Sequence, residues 1–120
     1  MKEYLQFYIN GEWVDPITPR LLDVIDPATE EVAGHINVGS EADVDKAVAA
    51  AAEAFKTWSQ TSKEERLQVL NRIVEEFEKR VPELGEAITE EMGAPTWLAE
   101  GTQAAVGVKH FQTTVAVLER

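Results

Sequence analysis

Apolar residues change their rhythm once along this chain, close to residue 40. Before it they alternate or fall in short β-branched runs, and after it they recur every three or four positions. The first pattern is that of strands and the second that of helices with one buried face. Tyr8-Ile9-Asn10-Gly11-Glu12-Trp13 sets Asn-Gly between β-prone flanks. It predicts a hairpin, because a type I′ turn needs positive φ at both central residues. Pro16, Thr18 and Pro19 imply a loop. Leu21–Ile25 reads as a second extended segment stopped by Asp26-Pro27, and residues 32–38 as a third, with Val32, Ile36 and Val38 on one face.

Four helices should follow. Ser40-Glu41-Ala42-Asp43 and Ser62-Lys63-Glu64-Glu65 each have capping-box spacing, which starts a helix by satisfying its first free N–H groups. The first helix runs to about Trp58 and carries Val44, Val48, Ala51, Phe55 and Trp58 as its apolar stripe. The second buries Leu67, Leu70, Ile73, Val74 and Phe77. Pro82 suits the first turn of a third helix (Leu84, Ala87, Ile88), and Gly93 its C-terminus. Pro95 opens a fourth, with Leu98, Ala105, Val108, Phe111, Val115 and Leu118. Gly101 and Gly107 inside it each cost about 1 kcal/mol of helix propensity, so close packing is expected at both. Residues 1–40 thus form a strand region and 41–120 a helical one. Thr113–Leu118 stays apolar up to Glu119-Arg120 with no turn after it, which reads as an element cut short.

Composition mainly removes possibilities. The 120 residues carry 22 acidic and 11 basic side chains, a formal charge of −11, and 44% are hydrophobic. That is ordinary for a globular protein, and the charge repels phosphate backbones. No nucleic-acid or membrane partner is expected. With no cysteine the chain supplies no disulfide, thiolate ligand or thiol nucleophile. The first residues lack a signal-peptide core and no run approaches a membrane span, so the cytoplasm is the expected compartment.

Catalytic constellations are scarce. The seven glycines contain no G-x-G pair, so neither a dinucleotide fingerprint nor a phosphate loop is present. His35 and His110 form no helical ligand pair, and His35 reads as an ordinary strand residue. Glu90 and Glu91 diverge by about 100° on a helix and cannot converge on one bond. Trp13, Trp58 and Trp97 lie on separate elements and are expected to anchor packing. The acidic residues of the second helix read as a solvated face.

A resemblance goes further. Phe7–Val14 is similar to the opening strand pair of the NAD(P)-dependent aldehyde dehydrogenase superfamily, and residues 23–32 (DVIDPATEEV) resemble its next segment. The likeness continues through Asp43–Ala51, Ala54–Trp58, Glu65-Arg66, Leu70–Ile73 and Glu90–Pro95, in the family's order and spacing. Asp26 stands where Asn is usual, and Glu30-Glu31 replaces a frequent Gly-Glu. The resemblance implies an α/β fold, the N-terminal part of a Rossmann-like cofactor domain. It implies that the nucleophilic Cys, the general-base Glu and the main cofactor contacts lie beyond residue 120. The complete enzyme would oxidise a small-molecule aldehyde to its acid with NAD or NADP, as a homo-oligomer. Two features fall on residues present here. A structural sodium or potassium ion would be held by the carbonyls of Val24 and Ile25 and the carboxylate of Glu91, oxygen ligands that suit a hard cation. The helix after Pro95 would wall a substrate tunnel, with Thr102, Gln103 and Val106 near its mouth. The alternative is a standalone module used in assembly without catalysis.

Overall fold

The computed structural model describes residues 2–120, in two compact units that divide after Gln60. The change from strands to helices falls at residue 40/41.

The first unit begins with β1 (Lys2–Tyr4), β2 (Phe7–Ile9) and β3 (Glu12–Val14), and continues with β4 (Leu21–Ile25), β5 (Val32–Asn37) and helix α1 (Glu41–Trp58). β2 and β3 form the expected hairpin, pairing Phe7 with Val14 and Ile9 with Glu12. Its turn has φ of 56° at Asn10 and 83° at Gly11, the left-handed values that a primed turn requires. The other sheet has the order β1-β5-β4, with β1 parallel and β4 antiparallel to β5. β1 has no counterpart in the sequence expectations, because Lys2-Glu3-Tyr4 shows no alternation. Residues 21–25 and 32–37 form strands as expected. The regular alternation of Val32, Ile36 and Val38 does not hold, since a register shift at Val24/Ile25 pairs Ile25 with Val32 and leaves Ala33 without a partner residue. Such a bulge interrupts the period of two.

The turn from β4 to β5 contains both family departures and explains the first. Asp26 Oδ1 accepts the Ala28 N–H at 2.7 Å, a side-chain turn that Asp makes as well as Asn. Glu30 has φ of 62°, a left-handed conformation that glycine adopts freely and a Cβ-bearing residue only at a cost.

α1 starts where its capping box predicts, with both reciprocal bonds of Ser40 and Asp43 present. Asp43 does more than cap. Its Oδ2 accepts from the Ser40 hydroxyl (2.6 Å) and N–H (2.9 Å), and its Oδ1 accepts the Ile17 N–H at 2.9 Å. The Ser40 hydroxyl, then the Ile17 and Ser40 amides, hold its carboxyl below the ordinary carboxylate range. One carboxylate thereby fastens the loop after β3 to the start of the helix.

The second unit contains α2 (Lys63–Lys79), α3 (Val81–Met92), a single turn α4 (Thr96–Leu98), a π-helical turn (Ala99–Ala104) and α5 (Ala105–Glu119). Ser62 and Glu65 cap α2 reciprocally, and these bonds hold the Glu65 carboxyl below its ordinary range. Pro82 sits in the first turn of α3, and Gly93 ends it at φ 69°, donating its N–H to Thr89 O at 3.0 Å. α2 packs on α5, where Phe77 and Phe111 meet edge to face at 6.1 Å. Gly107 lies under Phe77, and any Cβ there would overlap the ring. Close packing therefore explains Gly107. It does not explain Gly101, whose missing Cβ faces open space.

The expected single fourth helix is thus interrupted by the π turn, in which Gly101, the weakest helix former of that stretch, lies. The β-branched Thr113 and Thr114 remain helical by donating their hydroxyls to the carbonyls of Lys109 (2.8 Å) and His110 (2.9 Å). Val108 and Val115 are buried on α5. Phe77 and Phe111 are half-buried, while Phe55 is 64% exposed.

The tryptophans also differ from expectation. Trp13 is 66% exposed and contacts only Tyr8 among the ring pairs, at 5.3 Å, and Trp97 is 74% exposed. Neither anchors a core in this chain, because each lies on the outward face of its element.

Candidate functional site

The most irregular backbone in the second unit coincides with the residues that the family resemblance singles out. Pro95 breaks the chain after Gly93, and the helix that restarts at Thr96 widens into the π turn within four residues. In that turn Ala99 and Ala104 are buried while Gly101, Thr102 and Gln103 are exposed. Val106, three residues after Gln103 and four after Thr102, is also exposed. Residues at these spacings are neighbours on a helix surface, so Val106 lies beside both Thr102 and Gln103, and all three are exposed.

What holds the turn is α3. A Cβ on Gly85 would overlap the Glu100 side chain and lie 3.1 Å from Glu100 Cα, so the backbones approach as closely as glycine permits. Nothing in the spacing of Gly85 marks it as a packing position; only its neighbour does. The Thr89 hydroxyl of α3 is buried without a hydrogen-bond partner. π turns widen the helix locally and are frequent where a helix must present side chains or carbonyls to a ligand. The outward face mixes a hydroxyl, an amide and a branched alkyl group. It can position a small polar-apolar molecule but offers no nucleophile or general base.

The expected ion ligands divide between the units. Val24 and Ile25 end β4 in the first unit, where the ladder shifts register. A bulge disrupts regular pairing and can turn a carbonyl away from the ladder. Glu91 lies in the last turn of α3 in the second unit, exposed, two residues before Gly93. That turn contains no basic residue, and the Glu91 carboxylate lies at the negative end of the helix dipole. Among the described residues no group of three His, Asp or Glu side chains could hold a metal.

His35 sits in β5, opposite Asp23 of β4 and Glu3 of β1, with Nε2 3.3 Å from Asp23 Oδ1. It is a strand residue in a polar row across the sheet. No described helix is long and apolar enough to cross a membrane.

The likeness to known proteins extends over nearly the whole chain. The sequence model of the aldehyde dehydrogenase family matches residues 13–120. A 3-succinoylsemialdehyde-pyridine dehydrogenase from a Pseudomonas species is 48% identical over 98% of this chain and 25% of its own length. Among solved structures, an aldehyde dehydrogenase from Bartonella henselae superposes with a TM-score of 0.97 at 44% identity, over 99% of this chain and 25% of that one. An aldehyde dehydrogenase C mutant from Pseudomonas syringae, solved with NAD+ and octanal, gives 0.93 at 45% identity over 96% of this chain and 24% of that one. The chain belongs to the aldehyde dehydrogenase family, matching its N-terminal part and spanning about a quarter of the length of these relatives.

Proposed function

We propose that this chain is the N-terminal segment of an enzyme that oxidises an aldehyde to a carboxylic acid with NAD or NADP, acting as a cytoplasmic homo-oligomer. The observation that carries this reading is the superposition at a TM-score of 0.97 over 99% of the chain, on only 25% of an aldehyde dehydrogenase. The segment contributes scaffold and one surface of the substrate path, not the chemistry. None of its 120 residues is a cysteine, so no thiolate can add to the carbonyl carbon. It also lacks a glycine-rich phosphate turn, and no residue of this chain is assigned to the cofactor. The chain alone is therefore inactive in this reading.

Within it, Thr102, Gln103 and Val106 present the π-turn face to the aldehyde. The oxygen groups this segment offers to a sodium or potassium ion are the Val24 and Ile25 carbonyls in the first unit and the Glu91 carboxylate in the second. The β4 bulge, and the place of Glu91 at the negative end of a helix, support that assignment.

A chimera tests the proposal. The matching quarter of the Pseudomonas syringae enzyme is replaced by this chain, and NADH formation from octanal is followed at 340 nm. Retained turnover in the chimera, with none from the 120-residue chain, is expected. A folded but inactive chimera, or activity of the chain above a mock purification, overturns it. Glu91→Gln in the chimera should remove a stabilisation by potassium chloride over lithium chloride.

A further inference from the structure

The turn between β2 and β3 holds a chemically labile pair. An asparagine side chain is open to attack where the next backbone nitrogen can reach its carboxamide carbon. Glycine leaves that nitrogen unscreened, because it has no Cβ and turns freely about its own backbone. Asn10-Gly11 is such a pair. Both residues are exposed, the ladder's last paired residues are Ile9 and Glu12, and a Cβ added to Gly11 would meet nothing within 4 Å. The chain's other asparagines, Asn37 and Asn71, are differently placed. Asn37 donates from Nδ2 to Leu5 O (2.7 Å) and accepts the Arg20 N–H on Oδ1 (3.1 Å), and the next nitrogen, that of Val38, donates to Arg20 O at 2.8 Å. Asn71 lies inside α2, where the nitrogen of Arg72 belongs to the helix ladder.

We propose that Asn10 is a deamidation site of this chain, with a rate set by the opening of its own hairpin. The Gly11 nitrogen adds to Cγ of Asn10, the carboxamide C–N bond breaks, and ammonia leaves with the proton from that nitrogen. Water then opens the succinimide ring at either carbonyl, giving aspartate or isoaspartate at position 10. The turn restrains this step. Asn10 has φ of 56°, the left-handed conformation in which ψ is about +47°. There Cβ and the next nitrogen lie on opposite sides of the Cα–C bond, whereas the five-membered ring needs them eclipsed. Ring closure therefore waits for the turn to open, and the Tyr8–Trp13 ring contact (5.3 Å), beside the last ladder pair, resists that opening. Either product adds a negative charge to the −11 of the chain. Isoaspartate also routes the main chain through Cβ and lengthens a turn whose length fixes the hairpin register.

The test is peptide mapping by mass spectrometry of the 120-residue chain, incubated near neutral pH in buffer and in urea. Asn10 should convert faster than Asn37 and Asn71 in both. Its conversion should be about tenfold or more faster in urea, where the turn no longer protects it. Trp13→Ala removes the ring contact at a side chain that is 66% exposed. It should speed conversion in buffer about two- to tenfold and leave the rate in urea unchanged. The isoaspartate form, separated by chromatography, should exchange its amides faster over residues 7–14 than the parent. An Asn10 that stays intact in buffer while the urea sample converts, equal rates in buffer and urea, faster loss of Asn37 or Asn71, or a Trp13→Ala rate unchanged in buffer each overturns the proposal. None of these outcomes depends on the aldehyde reaction.

Discussion

α1 and α5 are similar helices put to opposite uses. Each has a continuous apolar stripe, over 18 residues in α1 and 15 in α5. In α5 the stripe is the inside: Val108 and Val115 are buried and Phe111 meets Phe77. In α1 it is the outside, and what turns inward is an aspartate and two alanines. Periodicity states which residues share a face; it is silent on whether anything covers that face. The first unit is accordingly held by specific polar bonds such as those of Asp43, and the second by packing.

Substitutions can break this contrast. The largest effect is expected at Gly85, where valine must push the backbone of Glu100 away. Gly85→Val should cost about 3 kcal/mol and distort the π turn, read by thermal denaturation and by amide exchange over residues 96–106. Next comes a matched pair: Val108→Ala should cost about 2 kcal/mol, because Val108 is 6% exposed, and Val48→Ala close to nothing, because Val48 is 61% exposed. Equal losses would mean that the α1 face is covered and the comparison false.

Acid should distinguish the units too. The Asp43 carboxyl is lowered in the folded chain. Its stabilisation is complete above the ordinary carboxylate range, near about 4, and is lost as pH falls through the depressed native value. Glu65 behaves likewise in the second unit, but it lacks a bond like the one from Ile17. Protection of the residue 15–20 loop should therefore fall first at low pH, and Asp43→Asn should flatten that dependence. Amide exchange that is independent of pH after correction for its intrinsic rate would refute the latch. The smallest effect has the opposite sign. Glu30→Gly relieves a φ of 62° and should stabilise the first unit by about 0.5–1 kcal/mol, measurable as a higher denaturant midpoint.

Much of the local structure was legible because its causes are local. Asn10-Gly11 readily takes the two positive φ values of a type I′ hairpin turn; Ser40 with Asp43, and Ser62 with Glu65, start helices through bonds three residues apart; Gly93 ends one through its own φ. The candidate site was legible in position, through the family likeness of the segment around Pro95, but not in form. That Thr102 and Gln103 ride on a π turn depends on how Glu100 meets Gly85, fifteen positions away. β1 escaped because three residues carry no period, and its strand exists only through pairing with β5.

By itself, then, the sequence determined the element order, the caps, the hairpin turn and the family, each written in residues close together along the chain. Only the tertiary structure decided which faces are covered. Burial of Val115, exposure of Phe55 and Trp13, the glycine contact beneath the π turn and the third bond of Asp43 all rest on residues distant in sequence. An apolar side chain gains from leaving water only if another surface is there to meet it, and the side chain's own position cannot supply that surface.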